Sequence, residues 1–187
     1  MKKYLILLLS VVGLSFFMSG CAEAKLSPEV HKAFEKHATV YTQRNMHYNI
    51  SRNNKIVEGT NYQVGILIPV NSKVILESVN AKQIVFTYQG NKIILRNIPK
   101  YTGIDIAALY ARYFAPKKVN LSKFTSMERD AIKVAQVRNG MSKEAVLVSL
   151  GFPPAHATPS LKMDQWKYWK NRWITFLVNF KNGKVIN

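Results

Sequence analysis

Between Tyr62 and Ile98 the chain carries four β-branched and aromatic runs with almost nothing between them, and that spacing leaves few folds open. The runs are Tyr62-Gln-Val-Gly-Ile-Leu-Ile-Pro-Val70, Lys73-Val-Ile-Leu-Glu-Ser-Val79, Lys82-Gln-Ile-Val-Phe-Thr-Tyr88 and Lys92-Ile-Ile-Leu-Arg-Asn-Ile98. Asn71-Ser72, Asn80-Ala81 and Gln89-Gly90-Asn91 separate them, and residues of this kind mark tight turns. Connections this short join antiparallel neighbours, because a parallel crossover needs a dozen residues or more. The spacing therefore predicts an antiparallel meander. Met46-His-Tyr-Asn-Ile50 reads as a fifth strand, followed by a turn at Asn53-Asn54.

A sheet of this size closes most easily into a small, partly open barrel. The stretch GILIPVNSKVIL, a strand, a proline-bearing turn and a second strand, resembles SH3-like modules. Helical patterns flank the strands. Ser27-Pro28 is a cap followed by proline at the first helical position, and Leu26, Val30, Ala33 and Phe34 continue as an apolar stripe. Thr102-Gly-Ile-Asp105 reads as a capping box, opening a helix with Ile104, Ala107, Ala108, Ala111 and Phe114 on one face and Pro116 at its end. A second box, Thr125-Ser-Met-Glu128, opens a helix carrying Met127, Ala131, Val134 and Ala135. In GMSKEAVLVSLGFPP, residues 140–154, Ser142 is the expected cap and Met141 with Val146 a hydrophobic staple. Val146, Leu147 and Leu150 form the stripe, Gly151 the left-handed stop with Phe152 folded back on Leu147, and Pro153-Pro154 the exit. A phosphate cradle needs several glycines before the helix, and only Gly140 stands there.

The last part returns to period two. Asn182-Gly183 is a strong two-residue hairpin signal and pairs Phe180 with Val185. In the preceding strand Ile174, Phe176, Val178 and Phe180 alternate inward. A three-residue loop, Lys170-Asn171-Arg172, then pairs Trp166 with Phe176 and Tyr168 with Ile174 inward. The same register sets Trp169 against Trp173 on the opposite face, with Leu177 further along and Lys167, Lys170 and Arg172 around them. Aromatic rings bordered by cations suit a headgroup-level membrane contact, a protein partner or a sugar ring. The competing expectation is that the N-terminal half, or the loop at 155–162, covers these rings as core.

The N-terminus bounds the setting. Lys2 and Lys3 precede an apolar run from Tyr4 to Phe17, too short for a bilayer-spanning helix and suited to a signal peptide. Met18-Ser19-Gly20-Cys21 follows, and Cys21 is the one cysteine of the 187-residue chain. This pattern resembles a bacterial lipobox, which implies a Cys21 thioether-linked to diacylglycerol and further acylated, as by palmitate. Several acyl chains anchor a protein stably. With its cysteine so used, the chain has none left for disulfides, metal thiolates or a thiol nucleophile. Ala22 in place of aspartate points to the outer membrane, with the protein facing the periplasm. The net charge of +17 is spread along the chain. It suits anionic lipid, lipopolysaccharide or peptidoglycan, whereas a periplasmic address argues against nucleic acid.

Two helices followed by a three-stranded sheet also have a likeness. RNGMSKEAVLVSLGFPP, QWKYW and ITFLVNFKNGKV are similar to the SmpA/OmlA family, the BamE-like outer-membrane lipoproteins, over Ile132 to Asn187. The resemblance implies a small α/β layer at the outer membrane with an accessory role in β-barrel protein assembly or envelope integrity. A related layer serves inhibitor proteins that grip an enzyme through the sheet. The long segment before Ile132 is a departure from that compact family. The expected fold class is α+β, an N-terminal antiparallel meander or small SH3-like barrel followed by a helix-helix-three-stranded domain. Its parts are a leader at 1–20, a lipid-anchored lead at 21–44, a β module with trailing helix at 45–115 and the BamE-like domain at 116–187.

Catalysis finds little support. His31, His37, His47 and His156 are not clustered like metal ligands, and no G-x-S-x-G or paired-carboxylate motif occurs. The expectation is a non-enzymatic protein without metal or cofactor, acting through protein partners. The alternatives are binding of peptidoglycan or lipopolysaccharide through the basic β module, or an inhibitor or secretion-apparatus role.

Overall fold

The computed structural model describes residues 26–51 and 53–186. Cys21 and the leader lie outside these residues. The fold is mixed α/β: an eight-stranded sheet curled into a half-barrel, five helices and a separate three-stranded sheet.

The large sheet contains β1 (Thr39–Thr42), β2 (Met46–Ser51), β3 (Asn54–Glu58), β4 (Ile66–Ile68), β5 (Lys73–Asn80), β6 (Gln83–Tyr88), β7 (Asn91–Arg96) and β8 (Phe114–Ala115), in the order β4-β2-β3-β7-β6-β5-β1-β8. Its curl follows from chain length. Only Gln43, Arg44 and Asn45 join β1 to β2, a reach of about 14 Å. A flat sheet would put those strands five spacings apart, about 24 Å. The sheet therefore bends until its ends meet. The seam is hydrogen-bonded: Thr42 Oγ1 donates to Pro69 O at 2.7 Å, and Asn71 N donates to Thr42 O at 2.8 Å.

The expected meander holds for three strands and fails for the fourth. β5, β6 and β7 pair antiparallel through the two predicted turns. The run at 62–70 forms only the short β4, which pairs with β2, not with β5. Pro69 has no N–H to offer a ladder, and β5 gives its free edge to β1, with Thr39 opposite Ile75. Nor is the sheet antiparallel throughout: β3 runs parallel to β7, Lys55 opposite Ile93 through Glu58 opposite Arg96. Residues 26–44 take part in this fold. They supply β1 and α1 (Pro28–Glu35), capped by Ser27, whose Phe34 enters the core while Leu26, Val30 and Ala33 pack against it.

Helix α2 (Pro99–Thr102) and helix α3 (Ile106–Tyr113) close this half. The expected box at Thr102 is corrected: Asp105 is itself the cap of α3, its Oδ1 accepting from Ala108 N at 2.8 Å. Thr102 is buried and its hydroxyl donates to Asn97 Oδ1 at 2.6 Å. The buried face is Ile106, Leu109, Tyr110 and Tyr113, one residue or about 100° around from the alanine face expected. The helix ends at Tyr113, before Pro116, because Phe114 and Ala115 turn extended and pair with β1.

The second core lies between α4 (Ser126–Lys133), α5 (Lys143–Leu150) and a sheet of β9 (Gln165–Trp169), β10 (Thr175–Lys181) and β11 (Lys184–Val185). Met141, Val146, Leu150, Trp166, Tyr168, Val178, Phe180 and Val185 are buried in it. The Thr125 capping box forms in full, and Ser142 caps α5. On α4 the stripe is shorter than expected, since the helix stops at Lys133 and Val134 is exposed. Phe180 pairs with Val185 around Asn182 and Gly183, both with positive φ, as a two-residue turn of this hand requires.

The β9–β10 register differs from expectation by two residues. Trp166 faces Val178, Tyr168 faces Phe176 and Trp169 faces Thr175. The loop is Lys170 to Ile174, not three residues. Asn171 Oδ1 accepts from Trp173 N at 2.8 Å and Ile174 N at 2.9 Å, a side-chain turn that lifts both residues out of the ladder. A slip of two preserves strand faces, so the rings expected inward on β9 remain inward. Ile174, expected inward, is 53% exposed in the loop instead.

Candidate functional site

The residues singled out from sequence divide between two places. Trp173 stands at the β9–β10 tip, 79% exposed, with the Arg172 guanidinium 4.5 Å from its ring centroid. Lys170 is exposed beside it. Trp169 does not face Trp173 across the hairpin. It is half-buried, with the His156 ring 5.2 Å away and Lys167 Nζ 5.6 Å from its own ring centroid. The loop before β9 thus covers one of the two rings and leaves the other in solvent.

Trp169 belongs to a cleft of about 490 Å³ where the two halves meet. From the large sheet come Glu58 at the end of β3, Arg96 opposite it on β7, Thr60 and Tyr62 on the following loop, then Ile98 and Tyr101. From the other half come Pro154, His156, Trp169 and Arg172. Two backbone bonds fix this arrangement: Ala155 N donates to Tyr101 O at 2.9 Å and Gln63 N to Trp169 O at 3.1 Å. They place His156 between two rings, 5.1 Å from Tyr101 and 5.2 Å from Trp169.

Opposite charge is paired within the cleft. Arg96 Nε donates to Glu58 Oε2 at 3.1 Å and its Nη2 to Glu58 Oε1, a two-pronged contact of planar groups. That hydrogen bonding holds the Arg96 guanidinium above its ordinary pKa. Burial pushes the Tyr62 phenol up, helped by the Glu58 charge and opposed by Arg172, so its hydroxyl keeps its proton. Arg172 has no ion-pair partner among the described residues.

The cleft depends on a polar seam beneath it, where the N-terminal half caps α5. A helix leaves its last four carbonyls without partners of its own. Arg44 Nη1 donates to Leu147 O at 3.2 Å, Asn45 N to Val148 O at 3.0 Å, Asn45 Nδ2 to Ser149 O at 3.1 Å and Asn61 Nδ2 to Leu150 O at 2.6 Å. Gln63 Nε2 joins Asn61 on Leu150 O at 2.8 Å. All four carbonyls accept from the other half, and Leu147 O also accepts from Gly151 N at 3.0 Å. Gly151 follows with φ of +80°, and a Cβ there would lie 2.9 Å from Asn61 Nδ2. Phe152, expected to fold back on Leu147, is held instead between the guanidiniums of Arg44 and Arg112, at 4.5 and 4.1 Å. Burial pushes the Arg44 pKa down to about 10, and it remains a cation at the negative end of α5.

Glu58, Tyr62, Arg96, Tyr101 and the ring role of His156 were not legible as a site, since they come from separated segments with no motif spacing. Among the described residues no three His, Cys, Asp or Glu side chains gather to hold a metal, and no helix is long and apolar enough to cross a membrane. No family model, no curated protein and no solved structure matches the chain.

Proposed function

We propose that this chain is a non-catalytic envelope lipoprotein, anchored at the outer membrane through Cys21 and facing the periplasm, that binds a protein partner in envelope or β-barrel protein assembly. The observation that carries the binding role is the β9–β10 tip. A tryptophan 79% exposed beside an exposed Ile174, with Arg172 stacked on it and Lys170 adjacent, is a costly arrangement for a free surface. Trp and Arg are the residues most enriched where binding energy concentrates. The address rests on the lipobox-like segment, and the assembly role on the similarity of Ile132 to Asn187 to SmpA/OmlA proteins. The likeness of the curled sheet to SH3-like barrels belongs to the same proposal.

The test is affinity capture of the lipidated protein from outer membranes. Recovery of barrel-assembly components supports the proposal, and Trp173→Ala is expected to lower that recovery by about tenfold or more without moving the melting temperature. Recovery unaffected by the substitution would remove the tip from the binding role. If Cys21→Ser is still cleaved and still sorted to the outer membrane, the anchor assignment is wrong.

A further inference from the structure

We propose that the cleft between the two halves binds a carboxylated sugar, a pyranose stacked on the Tyr101–His156–Trp169 ring wall with its carboxylate taken by Arg172. This site shares Arg172 with the Trp173 tip but does not rest on the partner proposed for that tip.

Size comes first. A cleft of about 490 Å³ lies within the range of small-ligand sites and has room for a disaccharide. The wall is a row of three tilted rings, each 5.1 or 5.2 Å from the next, and Tyr101 at its end is 39% exposed. The apolar C–H face of a pyranose packs on such rings while its hydroxyls point to the side. At that side the paired Glu58 and Arg96 offer acceptor and donor edges in one plane, suited to neighbouring hydroxyls. The Tyr62 hydroxyl adds a further neutral polar group.

Charge then selects among sugars. Arg96 is neutralised by Glu58, which leaves Arg172 as the lining cation without a carboxylate among the described residues. Lys100, whose Nζ lies 5.9 Å from the Tyr101 ring centroid, adds positive charge beside that ring. One guanidinium matches one carboxylate in a planar two-point contact. A phosphate would bring nearly two charges toward the Glu58 carboxylate, and a nucleotide is disfavoured for that reason. An acyl chain would leave the Glu58–Arg96 pair unsolvated without replacing its contacts with water.

The experiment uses the purified full chain and two disaccharides of matched backbone. One is N-acetylglucosamine joined to N-acetylmuramic acid, which bears a lactyl carboxylate; the other is N,N′-diacetylchitobiose, which is neutral. Binding is read by calorimetry and by the shift of the Trp169 indole N–H signal. The carboxylated sugar is expected to bind about tenfold more tightly, the worth of one charge-assisted contact. Arg172→Gln should erase that difference, and Tyr101→Ala should weaken both sugars. Both positions are exposed, so loss of fold does not confuse the result, and unchanged melting temperatures check it. Trp173→Ala is expected to leave sugar binding intact, which separates this proposal from the partner contact at the tip. Equal affinity for the two sugars, no saturable shift at Trp169, indifference to Arg172→Gln, or displacement by inorganic phosphate or adenosine monophosphate would each overturn it.

Discussion

One carboxylate ties two helix starts together. Glu128 is 3% exposed, and its Oε2 accepts from Thr125 N at 3.0 Å, completing the box at the start of α4. Its Oε1 accepts from Ser142 N at 2.7 Å, at the cap of α5. Burial alone would raise its pKa, but hydrogen bonds from Ser142 and Thr125 prevail and bring it down to about 2. A depressed carboxyl pKa stabilises the fold above the unfolded value of 4.5, and that contribution is lost as pH falls from there toward 2. Glu128→Gln keeps an acceptor and removes the charge, so it is expected to cost about 2 kcal/mol at neutral pH. It should also flatten the acid limb of stability between pH 4.5 and 2, measured by denaturant midpoints across that range. An unchanged acid limb would remove Glu128 from this role.

At the scale of elements, α5 shows how far local signals reach. Its start obeys them: Ser142 accepts from Ala145 N at 3.2 Å, as the cap position predicts. Its end does not: Gly151 N reaches back to Leu147 O, but the groups that satisfy Val148, Ser149 and Leu150 stand on residues 45, 61 and 63. Asn45 is the centre of this seam, fully buried, with Nδ2 also donating to Ile132 O at 2.6 Å and Oδ1 accepting from Val70 N at 2.7 Å. Asn45→Ala strands several buried backbone groups and is expected to cost about 3 kcal/mol, a fall of roughly 6 to 12 °C in melting temperature. Gly151→Ala forces a positive φ on a Cβ and pushes it against Asn61, with an expected loss of about 2 kcal/mol. Scanning calorimetry of the two variants checks both values. The hairpins teach the complementary lesson. Asn182-Gly183 fixed its own register, whereas Lys170 to Ile174 carried no short turn signal, and the Asn171 side chain set the pairing instead.

Across the whole molecule, two apolar cores are joined by a polar seam rather than by a third core. The buried residues up to Phe114 lie in one core and those from Phe124 onward in the other. The two cores share the seam's hydrogen bonds. A fragment from residue 116 to 187 would present the last three carbonyls of α5, at Val148, Ser149 and Leu150, and the Phe152 ring without their partners. Buried backbone groups left unpaired are costly, so this fragment is expected to lack a cooperative unfolding transition and a dispersed amide spectrum. Restored dispersion on adding the 26–115 segment would show that the seam supplies what is missing, and a fragment that folds alone would contradict it.

The sequence by itself determined whatever depends on neighbours within a few residues. The caps at Ser27, Thr125 and Ser142, the three-strand meander, the Asn182-Gly183 hairpin and the inward faces of β9 and β10 are all of that kind. Period and capping are short-range physics, and an even strand period keeps the faces right even when the register slips by two. The tertiary structure alone decided where β4 pairs, which residues cap the end of α5 and which tryptophan is covered. It also brought Glu58, Arg96, Tyr101, His156 and Trp169 into one cleft. Those outcomes follow from the closing of the sheet, which the three-residue link between β1 and β2 forces, and from unpaired polar groups finding partners a hundred residues away. No local pattern encodes a meeting between segments that touch only once the sheet has curled.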